Sequence, residues 1–119
     1  MHSRTPYDLW ELQRATPFLI AKSVDLSVAD LESDYETQLI IERMLERIGE
    51  TLRRISDRDQ EIAVLIPGIR QATVQRNLIA HEYYEIKWDR IHWTLNNSIP
   101  SLKEIVEQLI ADHPEEMKL

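Results

Sequence analysis

The chain contains no cysteine and only two glycines, Gly49 and Gly68. Without cysteine it can form neither a disulfide nor a thiolate metal site. The scarcity of glycine, together with the lack of an alternating strand pattern between Asn-Gly turns, argues against a β-sheet. No run approaches the ~20 apolar residues that cross a bilayer, and the first ten residues lack the apolar centre of a signal peptide. These absences predict one soluble, cytoplasmic, all-α domain over residues 1–119.

Capping residues and prolines predict the helices of the N-terminal third. The first helix is expected from about Thr5 to Ser23, with Thr5 as its cap and Pro6 in its first turn. Pro17 should kink this helix, because proline removes a backbone donor and crowds the preceding turn. Ser27 can cap a short second helix that ends near Leu31.

The clearest helical pattern extends from about Asp34 to Ser56. Its apolar residues recur at i, i+4, i+7, i+11 and i+14, which is the spacing of a buried helix face, and they are Ile41, Leu45, Ile48, Leu52 and Ile55. Gly49 lies within this helix at a cost of roughly 1 kcal/mol relative to alanine, which indicates close approach of another helix. The polar residues 56–61 predict a loop.

The C-terminal third predicts a bent last helix. It should run from Trp88 to about Ala111 and bend at Pro100, and the tail 112–119 should fray. Pro67-Gly68 marks the start of another helix, from about Gly68 to Glu82. The complete prediction is therefore a bundle of four to five helices with a kinked first and last helix.

The most informative segment is the run Arg76-Asn77-Leu78-Ile79-Ala80-His81-Glu82-Tyr83. Arginine keeps its charge and can bind phosphate oxygens with a planar fork, while histidine exchanges protons near neutral pH. Together these groups could cleave RNA without a metal. On an ideal helix, however, an i, i+5 pair points roughly 140° apart. Both side chains reach one phosphate only if the helix ends or distorts near His81, or if a second copy supplies part of the site.

The run Arg-Asn, three residues, His-x-Tyr resembles the ribonuclease motif of the HEPN superfamily, in its HepT-like branch. The stretch TQLIIERMLERIGETLRRI, residues 37–55, resembles the long second helix of that branch. Residues 66–86 are similar to its motif helix, and residues 88–109 resemble its last helix. The resemblance is loose before Ser27 and close after Thr37.

This resemblance implies a homodimeric HEPN-type bundle that acts as a ribonuclease toxin, without metal or cofactor, at a composite site on the dimer interface. Arg76 would bind the scissile phosphate and His81 would act as general acid or base. Asn77 would orient the phosphate or the imidazole. Tyr83 would line the site and accept AMP from a minimal nucleotidyltransferase antitoxin, which silences the toxin, and a higher assembly with that antitoxin is a further option.

Charge leaves other readings of the sequence open. The net charge of −7 argues against RNA as a ligand, but residues 43–90 contain nine basic and eight acidic residues, so the excess acid lies in the flanks. The acidic surface favours a non-catalytic HEPN module that binds a nucleotidyltransferase or a nucleotide. A purely structural bundle would place Arg76 on the surface and His81 at a helix C-terminus. A zinc site shared by His81 and His92 lacks enough ligands.

Overall fold

The structure is a computed structural model that describes residues 1–69 and 87–118. Those residues form six helical segments and no strand, which confirms the all-α prediction. We number the segments in chain order as α1 (Thr5–Ser23), α2 (Val28–Ser33), α3 (Tyr35–Arg58), α4 (Gln60–Ala63), α5 (Trp88–Asn96) and α6 (Ser98–Asp112).

Helix α1 has the predicted bounds, but its cap differs from the prediction. Arg4 is the residue before the first turn, and its side chain makes no capping hydrogen bond. Thr5 is instead the first helical residue, and its hydroxyl donates to Asp59 at 2.6 Å. The prediction that Thr5 caps α1 is therefore wrong, because a tertiary acceptor takes the hydroxyl. The helix continues through Pro17, which is exposed.

Local sequence rules account for α2 and α3. Ser27 and Asp30 form a reciprocal capping box, and Asp34 accepts a hydrogen bond from the Thr37 amide at 3.2 Å. Helix α2 ends at Ser33, two residues later than predicted. All members of the predicted apolar stripe of α3 are buried, as is Gly49.

The predicted loop over residues 56–61 is wrong. Helix α3 continues to Arg58, and the chain turns at Asp59 directly into α4. The Asp59 carboxylate accepts a hydrogen bond from the Ile62 amide at 3.2 Å. A buried aspartate at this position satisfies a free donor of the new helix, so polar residues here form a helix junction.

The last helix is bent by 34°, as predicted. The chain also breaks at Asn97, three residues before Pro100, so that α5 and α6 are separate segments. The Asn96 and Asn97 side chains donate to the carbonyls of residues 92 and 93, four positions back, each at 2.8 Å. Such bonds compete with the helical backbone pattern, and Pro100 lacks the amide that would bond to the Asn96 carbonyl, so both features favour a break within the turn before the proline.

The core lies between α1, α3 and α6, with α5 packed against α6 and α2. Buried leucine and isoleucine side chains dominate it, and Met117, within the tail that we expected to fray, joins the same cluster. None of the described helices combines the length and the apolar character that a bilayer crossing needs.

Candidate functional site

The predicted site residues Arg76, Asn77, His81 and Tyr83 lie outside the described residues. Their mutual geometry therefore stays a prediction. The structure does describe both ends of the segment that contains them, residues 60–69 on one side and residues 87–96 on the other. These two ends show how the fold holds the candidate site.

The N-terminal side is anchored by buried isoleucines. Ile62 in α4 and Ile66 after it belong to the core, and Ile69 packs against that core. Gly68 has a φ of 77°, in the left-handed region that a residue with a Cβ adopts only at a cost. Glycine therefore sets the direction of the chain between the buried Ile66 and the segment with the candidate motif.

Asp59 holds this side of the segment to α1. Its carboxylate accepts hydrogen bonds from the Thr5 hydroxyl at 2.6 Å, the His2 amide at 2.8 Å and the Ile62 amide at 3.2 Å. Burial raises the pKa of Asp59, but the three hydrogen bonds outweigh burial and lower that pKa below its usual value. The carboxylate is thus an ionised structural acceptor. The sequence pattern Asp59-x-x-Ile62 at a helix start is the signal that could have revealed it.

The C-terminal side begins with α5. Trp88 is half-buried against the core and Ile91 is buried. A ring nitrogen of His92, Nε2, lies 3.1 Å from the Leu26 carbonyl oxygen. This contact ties α5 to the turn between α1 and α2 and gives His92 a structural role. Residues 1–69 and 87–118 contain no group of three or more acidic or histidine side chains placed to hold a metal.

A surface cleft of about 570 Å³ lies between α1 and α3, and the sequence did not reveal it. It is lined by Tyr7, Asp8, Glu11, Arg43, Glu46, Arg47, Glu50, Thr51 and Arg54. Two charged helix edges in the sequence indicate this cleft. Asp8 and Glu11 lie three residues apart on α1, and Arg47 and Arg54 lie seven residues apart on α3.

The arginines of this cleft are matched by its own carboxylates. Arg54 Nε lies 3.2 Å from Asp8 Oδ1, and Arg43 Nη1 lies 3.7 Å from Glu46 Oε2. Glu11 pairs with both Arg47 and Arg14. Partial burial raises the pKa of Glu11, while these two arginines together lower it below its usual range. The cleft therefore joins α1 to α3, and a phosphate bound there would have to displace existing ion pairs.

The tryptophans differ in exposure. Trp10 is half-buried and meets the Tyr7 ring edge-on, with the ring centroids 5.9 Å apart. Trp93 is 61% exposed on α5.

Comparison with known proteins identifies the family. The family model described as ribonuclease HepT-like matches residues 12–109, which include the candidate motif and most of every helical segment described above. No curated protein and no solved structure matches the chain. Since the match covers most of the 119 residues, the chain belongs to the HepT-like ribonuclease family.

Proposed function

We propose that this protein is the toxin of a toxin–antitoxin pair and cleaves RNA without a metal, at a composite site formed by two copies of the chain. The observation that carries the proposal is the family match over residues 12–109, because it includes the complete Arg76 to Tyr83 run. Membership of a ribonuclease family makes RNA the expected substrate. We further propose that residues 1–119 act as one domain in the cytoplasm.

The proposed reaction uses the RNA's own 2′-hydroxyl as nucleophile. Its oxygen forms a bond to the adjacent phosphorus as the bond to the 5′-oxygen breaks, which leaves a 2′,3′-cyclic phosphate and a 5′-hydroxyl. One proton leaves the 2′-hydroxyl and one is added to the 5′-oxygen. His81 exchanges a proton in this reaction, Arg76 stabilises the negative charge on the phosphate oxygens, and Asn77 orients the phosphate or the imidazole.

The helical spacing of the motif supports the proposed dimer. Arg76 and His81 point roughly 140° apart on an ideal helix, so one undistorted helix does not direct both side chains at one phosphate. A second copy, related by a two-fold axis, would bring the arginine of one motif to the histidine of the other.

Control of the toxin is proposed to act on Tyr83. A minimal nucleotidyltransferase antitoxin would join the phenol oxygen to the α-phosphorus of ATP, with pyrophosphate as the leaving group. The attached AMP places a phosphodiester and a nucleoside beside Arg76, where RNA would bind. A higher assembly of toxin and antitoxin would accompany this modification.

The main experiment is cleavage of a mixed RNA pool in the presence of a chelator. The purified wild type is compared with Arg76→Ala and His81→Ala, and with the matched controls Arg58→Ala and His113→Ala. Arg58 is exposed at the end of α3, and His113 follows α6. Cleavage by wild type and controls, lost in both motif variants, supports the proposal.

Absence of cleavage by a dimeric wild type would overturn the enzymatic proposal, provided intact mass shows no AMP on the protein. That outcome favours the second candidate, a non-catalytic interaction module, for which the observation is the net charge of −7. Incubation with ATP and the antitoxin tests the modification. Wild type should gain the mass of AMP and lose activity, whereas Tyr83→Phe should remain unmodified.

A further inference from the structure

One flank of α3 presents two exposed apolar side chains followed by two glutamates. Tyr35, Leu39, Glu42 and Glu46 follow one another at spacings of four, three and four residues, so they lie along one face of the helix. We call these four residues the α3 stripe. These four side chains lie on a different side of α3 from the buried residues around Leu45. They also lie on a different side from the arginines that pair with α1.

The apolar end of the α3 stripe is open to solvent. Tyr35 is 72% exposed and Leu39 is 47% exposed, although both are large side chains that gain free energy when covered. They are one helical turn apart, close enough for one partner side chain to contact both. Exposed apolar side chains in register with a charged edge are a feature of protein interaction sites.

The charge around this flank is of one sign. Between Lys22 and Arg43 the sequence has six acidic residues and no basic one: Asp25, Asp30, Glu32, Asp34, Glu36 and Glu42. Asp30 and Asp34 cap helices, so their charges have a local role. Glu32 and Glu36 are exposed and have no such role in the described contacts.

Glu42 has the least favourable position of these acids. It is half-buried, and no ion pair within residues 1–69 and 87–118 involves it. Burial, and after it the charge of Glu46, raise the pKa of Glu42. Arg43 lies 3.7 Å from Glu46 but is largely exposed, so it offsets only part of this repulsion. A cation supplied from outside would relieve it.

Two other occupants of the α3 stripe conflict with its charge. In a two-fold contact between identical stripes, Glu42 and Glu46 of one copy would face either the glutamates or the apolar pair of the other copy, and neither arrangement supplies a cation. RNA would bring phosphate charges to the same carboxylates. A protein surface with arginine or lysine beside an apolar side chain would cover the exposed apolar pair and form ion pairs with the glutamates.

We propose that the α3 stripe is a docking surface for a protein partner that presents basic residues around an apolar centre. Tyr35 and Leu39 contact the apolar centre, while Glu42 and Glu46 accept hydrogen bonds from the basic side chains. The chemistry of the partner follows from the stripe. Its identification with the nucleotidyltransferase antitoxin rests on the proposed function.

The test uses a synthetic helical peptide with leucines and arginines at i, i+4 spacing, and a counterpart in which glutamates replace the arginines. Binding to the ¹⁵N-labelled full chain is followed by NMR. We expect the basic peptide to shift resonances of α3 residues 35–46, and the acidic peptide to shift none. Leu39→Ser and Glu42→Lys should each weaken binding at least about tenfold.

Glu104→Lys is the matched control, because Glu104 is exposed on α6 and the substitution changes the net charge equally. It should alter the affinity by less than about twofold. The proposal is overturned if the basic peptide does not bind, if its shifts lie elsewhere, or if Glu104→Lys weakens binding as much as Glu42→Lys. Self-association of the free protein that protects residues 35–46 also overturns it, in favour of a second copy. None of these outcomes depends on RNA cleavage, so the ribonuclease proposal is tested separately.

Discussion

The Thr5 hydroxyl donates a hydrogen bond to the Asp59 carboxylate at 2.6 Å, and 54 positions separate the two residues in the sequence. Both are buried. The other carboxylate oxygen of Asp59 accepts from the amide of Ile62 in α4. One side chain therefore connects the first turn of α1 to the helix junction that precedes the candidate motif.

Substitution of Asp59 should destabilise the fold. Asp59→Ala removes a helix cap and leaves the buried Thr5 hydroxyl without its acceptor, so we expect the free energy of unfolding to fall by about 2–4 kcal/mol. Urea denaturation followed by circular dichroism measures the change. Asp57→Ala is the control, because Asp57 is exposed and, among the described residues, its ion pair is with Arg53, and it should cost less than about 1 kcal/mol. Equal losses would contradict the structural role of Asp59.

Asp59 should also contribute to acid sensitivity. Its pKa in the folded state lies below the usual value of 3.8, because hydrogen bonds to the ionised form outweigh burial. The ionised form is thus favoured by folding, so its stabilisation is present above the unfolded-state pKa and is lost as pH falls through the folded-state pKa. The stability difference between wild type and Asp59→Asn should shrink as pH falls from about 6 to about 3. A difference that is constant with pH would contradict this assignment.

Glu42 should show the opposite dependence. Burial and the neighbouring Glu46 raise its pKa, so folding favours the neutral form, and that stabilisation is lost as pH rises through the folded-state pKa. Glu42→Gln should therefore raise the melting temperature near neutral pH and lose this advantage in acid. Glu104→Gln, at an exposed position on α6, should not change the melting temperature. A lower melting temperature for Glu42→Gln at neutral pH would show that the charge stabilises the fold.

Gly49 tests the close packing of α3. Alanine is favoured over glycine by about 1 kcal/mol inside an exposed helix, but Gly49 is buried, so an added methyl group meets neighbouring atoms. We expect Gly49→Ala to give no gain in stability and Gly49→Leu to lose about 1–3 kcal/mol or more. Ser101→Leu, on the exposed side of α6, should change stability by less than about 0.5 kcal/mol. A more stable Gly49→Ala protein would show that space is available beside α3.

Mixing two inactive variants tests the composite site. If one copy supplies Arg76 and the other His81, a heterodimer of Arg76→Ala with His81→Ala contains one intact site. Random exchange of subunits would then restore about one quarter of the wild-type rate, because half of the dimers are mixed and half of their sites are intact. RNA cleavage after subunit exchange measures it. Mass spectrometry verifies that subunits have exchanged. If no activity then returns, either both residues of each site belong to one copy, or activity requires both arginines and both histidines of the dimer.

Local sequence predicted much of the helical framework. The bounds of α1, the Ser27 cap and the buried stripe of α3 were predicted because proline position, capping chemistry and apolar spacing act within a few residues. The bend of the last helix was predicted from Pro100, and the chain breaks within the preceding turn, where the Asn96 and Asn97 amides also bond to backbone carbonyls.

The residues of the candidate site were proposed from sequence, and the range matched by the family model includes all of them. Residue types identify the chemistry of Arg76 and His81, since charge and proton exchange belong to the side chains themselves. Their distance and relative direction cannot be read from an i, i+5 spacing, because these depend on where the helix ends and on whether a second copy contributes to the site. The geometry of the site therefore stays a prediction.

The sequence by itself determined that the chain is helical, which residues form the buried face of α3, and which chemical groups the candidate motif contains. Only the tertiary structure decided that Thr5 binds Asp59, that the expected loop is a helix junction, and that α1 and α3 enclose a cleft of paired charges. The physical reason is the sequence separation over which each interaction acts. Helix formation and capping are set by neighbours within about one turn, whereas the partner of a buried polar group is set by which distant segment folds against it.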